Sequence, residues 1–254
     1  KKQIMAVSVD TVYQRVLAIL NKEQRGYVTP QEFNLFANQA QLDIFEQYFY
    51  DINQFGRIPG NDTEFSDMLN LLNEKINIFE VDADMTYNAT TEHWSPPADL
   101  YRIGTIVYNN VTTSKSLYPV PNTVVTTTTP IEAERINFNE FLYINQSAYA
   151  KPTNTRPVFV ASEDGYKVDG DSLLTTNVRC NYIKEPAKVE WAYQMVFGEA
   201  LYDSTQAVNF ELHPSEETEL VIKILEFAGL VVKDIGLYQV ANQIEAQTNQ
   251  QEKA

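Results

Sequence analysis

Few residues in this 254-residue sequence combine the type and spacing that chemistry needs. Gly165-Tyr166-Lys167-Val168-Asp169-Gly170-Asp171-Ser172 matches the glycine and serine positions of a phosphate-binding loop. Where that loop needs a lysine it has Asp171, whose carboxylate would repel phosphate. A hairpin with Asp/Gly turn residues at both ends fits better. Asp82-Ala83-Asp84 begins like a calcium loop, but the sixth and twelfth places, which need Gly and Glu, hold Tyr87 and His93. Cys180 would be a nucleophile only with His93 or His213 folded beside it. Its place on an alternating strand makes it a small hydrophobe instead. His213 precedes Pro214 and a helix cap, which gives it a structural part. The sequence has no HExxH, CxxC or serine elbow, and paired carboxylates can be drawn anywhere in so acidic a chain. No catalytic residue, cofactor or metal ligand is therefore expected, although a site spread over distant residues would be invisible in one sequence.

Composition narrows the function classes further. There are 34 acidic against 19 basic residues, a net charge of −15, and the basic residues do not cluster with aromatics. Gripping a phosphate backbone needs Lys and Arg to displace counterions, so nucleic-acid binding is disfavoured as the main task. One cysteine leaves no internal disulfide framework. Fifteen Tyr and thirteen Phe exclude a disordered chain and supply a sizeable core. No signal-type or membrane-spanning run is expected: Leu220–Val232 is broken by Lys223 and Glu226. The sequons at Asn61, Asn88, Asn110 and Asn145 read as chance in a sequence rich in Asn and Thr.

The elements that would position these residues change period along the chain. Val9, Val12, Tyr13, Val16, Leu17 and Leu20 form one helical stripe. Thr29-Pro30-Gln31-Glu32 is a capping-box start for a second helix to about Tyr50, and a third is expected near 64–80. From Ser95-Pro96-Pro97 the pattern turns to strands. These are Leu100–Tyr108, a Thr-rich extended stretch at 111–130, a hairpin of Val158–Val160 with Tyr166–Val168, and Val178–Lys184. A short helix is expected at 131–142. Helices are expected again at Val189–Ser204, from a cap at Ser215 to Gly229, and from Asp234 to about Ala246. The expected architecture is α+β: a helical bundle from both chain ends with a β-rich middle insertion. Its parts are 1–90, 91–188 and 189–254, joined as one composite domain.

Three stretches resemble a known family. Val12-Tyr13-Gln14-Arg15-Val16-Leu17 with Asn21–Asn34 and Ile44-Phe45-Glu46-Gln47-Tyr48-Phe49 is the first. Pro97-Ala98-Asp99-Leu100-Tyr101-Arg102 with Tyr182-Ile183-Lys184-Glu185-Pro186 is the second, and Val208–Glu216 leading into Leu220–Gly229 is the third. Together they resemble virion structural proteins of tailed bacteriophages, above all the head-to-tail adaptor or ring proteins of short-tailed crAss-like phages. That resemblance implies a non-enzymatic ring of about twelve copies. The ring would lie below the portal among neighbouring tail proteins, in the virion, with DNA as a passing occupant and no membrane partner.

Charge supplies a rationale for such a role. Residues 189–254 hold 11 acidic and 3 basic residues, net −8, more than half of the excess. Glu216, Glu217 and Glu219 are the candidates for a lumen-facing acidic row that repels DNA; on an outer wall they would only aid solubility. Ile235, Leu237, Tyr238 and Ile244 are candidate anchors for a subunit or portal contact, or else cover the chain's own core. A receptor- or glycan-binding tail component is the competing class, served by the Tyr-rich surface and Thr-rich insertion.

Overall fold

The computed structural model describes residues 6–22, 28–55, 68–116, 123–232 and 243. The chain divides into two compact units, one of residues 1–78 with 186–254 and the other of residues 79–185.

In the first unit, α1 (Val9–Lys22) and α2 (Pro30–Phe55) each turn one apolar stripe inward. Val9, Val12 and Val16 of α1, and Phe33, Ala37, Ala40, Ile44 and Phe45 of α2, are essentially inaccessible to solvent. The start of α2 closes as its sequence predicts. The Thr29 amide donates to Glu32 Oε2 at 2.9 Å, and the Glu32 amide donates to Thr29 Oγ1 at 3.3 Å. The Thr29 amide, and then the Thr29 hydroxyl donating to the same Oε2 at 2.8 Å, hold the Glu32 carboxyl below its ordinary range. Helix α3 (Met68–Ile76) packs on α2 through Leu72 and Ile76.

The second unit is built from sheets. Strands β1 (Glu80–Asp84), β4 (Leu100–Ser116), β5 (Thr123–Glu132) and β9 (Val178–Lys184) form an antiparallel sheet in the order β1-β9-β4-β5. Strands β2 (Thr86–Asn88), β3 (His93–Ser95), β6 (Glu134–Arg135), β7 (Val158–Ser162) and β8 (Gly165–Asp169) form a second sheet in the order β2-β3-β8-β7-β6. Trp94, Ile106, Phe159, Val168, Val178, Cys180 and Tyr182 come from both sheets into one core. On the reverse of β7, Val158 and Val160 pack under α4 (Phe138–Gln146) with Ile136 and Phe141. The first three residues of β7, Val158, Phe159 and Val160, are therefore buried, because both faces are covered there.

The expectation of a helical bundle from both ends is overturned. Among the described residues the fold is α+β with five helices, but it is β-rich, with eleven strands in three sheets. The third sheet lies where a C-terminal helix is expected: 189–204 holds the hairpin of β10 (Tyr193–Val196) and β11 (Glu199–Tyr202). Trp191, Met195 and Val196 sit at helical spacing, but Tyr193 and Met195 also alternate, and Phe197-Gly198 supplies a two-residue turn. The short helix expected at 131–142 also begins later. Strand β5 runs to Glu132, and the Ala133 amide then bonds Ile106 O at 2.8 Å before the chain crosses to the second sheet. The cap expected at Ser215 lies two residues earlier. His213 caps a 3-10 turn, Pro214–Glu216, by accepting from the Ser215 amide, and α5 (Glu217–Val232) follows.

Candidate interaction surfaces

A row of side-chain amides on α2 fixes the base of the β10–β11 hairpin. Asn34, Asn38 and Gln41 lie at i, i+4 and i+7, so one helix face presents them in line. Opposite runs the extended segment 187–191. Asn38 accepts from the Val189 amide at 2.8 Å and donates to Val189 O at 2.9 Å. Asn34 accepts from the Trp191 amide at 2.8 Å and donates to Trp191 O at 3.4 Å. Gln41 donates to Ala187 O at 2.9 Å and accepts from the Glu211 amide at 3.1 Å. The match is geometric. Four helical residues rise about 6 Å and two extended residues about 6.6 Å, so every second residue of the strand meets the next helical turn. Each planar amide offers a donor and an acceptor, as a neighbouring strand would.

Aromatic rings continue the joint. Trp191 stacks on Tyr193 at 5.9 Å and on Tyr202 at 5.6 Å, lies 4.3 Å from Tyr13, and donates its indole N–H to Asp10 at 3.0 Å. Asp203 accepts from Thr205 Oγ1 at 2.6 Å, from the Thr205 amide at 3.0 Å and from Gln194 at 2.8 Å. The Thr205 bonds come first in holding its carboxyl below the ordinary range.

From this anchored base the hairpin runs out to an apolar tip. Met195 is 64%, Leu201 61% and Phe197 104% exposed. Phe197 and Gly198 have φ of +52° and +89°, so the two-residue turn needs the left-handed region twice. Gly198 meets that need without strain, but Phe197 is a bulky side chain in a conformation such residues avoid.

The second unit carries three surface features. Strand β4 pairs with β9 only as far as Tyr108, while its pairing with β5 extends from Val107 to Ser116. Its outer half and β5 thus form a two-stranded ribbon, with Val111, Thr112, Thr113 and Thr126–Pro130 exposed. A second feature is the outer face of α4, where Phe138 and Tyr143, with Tyr149 just beyond the helix, stand in solvent. The third is a cleft of about 400 Å³, lined by Ile103, Gly104, Thr105, Glu132, Ala133, Glu134, Arg135 and Phe159. It opens where β4 loses register between Ile103 and Ile106 and where the chain leaves the first sheet at Ala133.

The residues singled out in the sequence are placed as follows. Glu216 is turned inward: it is buried, with Lys75 Nζ at 2.6 Å and Ser215 Oγ at 3.0 Å. Burial alone would raise its carboxyl, but the Lys75 bond and charge outweigh it and bring it below the ordinary value. Glu217 pairs with Arg15 at 2.9 Å, and Glu219 is half-buried near the same Lys75 site. Of the three residues considered for a lumen-facing acidic row, Glu216 has its charge answered by Lys75 within the chain. Ile235, Leu237, Tyr238 and Ile244 lie outside the described residues. Asp82 and Asp84 flank Arg179 across β1 and β9, at 3.0 and 3.1 Å. Gly165–Asp169 is strand β8, and its turn glycine has φ of +126°. Cys180 is buried in β9, and burial first, then Asp82, Asp84 and Asp99, pushes its thiol up to about 11. Among the described residues no cluster of His, Cys, Asp and Glu could hold a metal ion, and no helix is long and apolar enough to cross a membrane.

No family model matches the chain, and no curated protein matches it either. Sequence reading missed the hairpin tip, although Phe197-Gly198 between two alternating runs carried its signal. It also missed the amide row, whose signal is three amides at helical spacing on an otherwise aromatic helix.

Proposed function

We propose that this chain is a non-enzymatic structural subunit of a phage head-to-tail connector ring. It would sit below the portal, contact the portal and neighbouring tail proteins in the virion, and surround the DNA channel. The observation that carries this reading is the hairpin tip: Met195, Phe197 and Leu201 stand in solvent on a base anchored by paired amides, stacked rings and Asp203. A firmly held apolar tip suits a subunit that completes its surface against other chains. The resemblance of the three sequence stretches names the kind of assembly. A net charge of −15 suits a wall that DNA passes without being held.

Native mass measurement with negative-stain imaging tests this, on the chain alone and mixed with a portal. Closed rings of about a dozen copies are the expected result. A chain that stays monomeric beside its portal, or forms a trimer with glycan affinity, sinks the proposal. The latter outcome would favour a receptor- or glycan-binding tail component, to which the exposed Tyr143 and Tyr149 point.

A further inference from the structure

The hairpin tip carries an apolar ring beside a carboxylate, and the cleft offers an apolar floor beside a cation. The tip presents one aromatic ring, Phe197, flanked by Met195 and followed by Glu199. The cleft has an apolar floor of Ile103, Ala133 and Phe159, and its volume of about 400 Å³ takes a phenyl ring with an aliphatic neighbour. Among the described residues Arg135 is the one cation lining it, and it forms no ion pair with them. Of the two carboxylates on the same rim, Glu134 is answered by Arg156 at 3.4 Å and Glu132 is exposed to solvent. Arg135 is therefore left for an incoming carboxylate, and Glu199 directly follows the tip.

The turn itself argues that Phe197 is retained for contact. A two-residue turn with positive φ at both places favours Asn-Gly. Here the first place holds Phe at φ +52°, fully exposed, where its ring packs against nothing among the described residues. Strain held at a surface position with no internal return marks a site used for something else.

We propose that the Phe197 tip of one copy seats in the Ile103–Phe159 cleft of a second copy of this chain, with Glu199 against Arg135. The proposal rests on the reading that copies of the chain assemble with one another. Tip and cleft are different patches, so each joined copy keeps one of each free. A contact of this head-to-tail type propagates, and it closes into a ring when the rotation per subunit allows.

Mixed-copy disulfide trapping tests the contact directly. Copies carrying Phe197→Cys are mixed with copies carrying Thr105→Cys, an exposed residue of the cleft. Buried Cys180 takes no part. The heterodimer is expected at several times the yield of a control pair, Phe197→Cys with Glu163→Cys on the exposed β7–β8 turn. Phe197→Asn relieves the turn and keeps the hairpin, yet weakens self-association at least tenfold by sedimentation. Glu199→Arg weakens it as well, and adding Arg135→Glu restores it. A heterodimer yield no higher than the control, or Phe197→Asn assembling like the parent, overturns the contact. If the parent still forms rings in that case, the connector reading stands and only this contact falls. Trapped heterodimers that build open filaments would instead uphold the contact and sink the ring.

Discussion

Replacing Asn38 by Ala tests whether the amide row holds the extended segment on α2. The substitution removes both partners of Val189, whose amide and carbonyl lie 2.8 and 2.9 Å from the Asn38 side chain. Val189 is 2% exposed, so solvent cannot readily take their place. An orphaned buried backbone group costs about 1–3 kcal/mol, which gives about 2–6 kcal/mol for two before water enters. Alanine returns about 0.6 kcal/mol as a better helix former, and some water will reach a half-buried site, so the net loss is about 2–3 kcal/mol. The two tryptophans make the assay specific, because Trp191 belongs to the first unit and Trp94 to the core of the second. In a Trp94→Phe background, urea unfolding followed by Trp191 fluorescence reads the first unit alone. Gln39→Ala is the control, since Gln39 only bonds Asp43 on the exposed face, an interaction of about 0.5 kcal/mol or less. A loss below about 0.5 kcal/mol for Asn38→Ala, or one equal to the control, would refute the argument that buried amide pairing holds this joint.

Three further outcomes follow from named contacts. Gly165→Ala places a Cβ 2.4 Å from Trp94 O at a φ of +126°, and should destabilise the second unit by about 2–4 kcal/mol, read from Trp94 fluorescence. Lys75→Met leaves Glu216 buried without its partner and should cost about 3 kcal/mol at pH 7, while adding Glu216→Gln recovers most of it in a double-mutant cycle. The Glu216 carboxyl lies below its ordinary value, so the pair's contribution is present above the ordinary carboxylate range and is lost as pH falls through the lower folded value. Asp169 behaves oppositely: burial raises its carboxyl, against bonding from Asn145 and the charge of Lys167 and Lys151, so stability is lost as pH rises through the raised value. Asp169→Asn should raise the melting temperature relative to the parent at pH 7, and the gap should close near pH 3.5 by calorimetry.

The parts of the fold legible in the sequence are those where one local signal settles the question. Thr29-Pro30-Gln31-Glu32 announced a helix start because the capping bonds lie within four residues. Val178–Lys184 announced a strand because its alternation matches a sheet buried on one face. Residues 189–204 misled because aromatic spacing there satisfies both periods, and a positive φ at Phe197 is decided by the turn rather than by propensity. The cleft was out of reach. It forms from a register shift in β4, a crossing at Ala133 and a residue of β7, which meet only after the sheets pair. The inward turn of Glu216 was equally hidden, since its partner Lys75 lies more than a hundred residues earlier.

The amide row on α2 also gives the joint a mechanical direction. Asn34, Asn38 and Gln41 grip the strand at three successive points along its length. A pull along 187–191 loads all three grips in shear, and none yields until all do. A pull outward from one end loads them one at a time, and the segment peels. The same five hydrogen bonds are thus stiff against sliding and compliant against lifting. Since all of them are made by uncharged amides, that anisotropy is insensitive to salt and to pH.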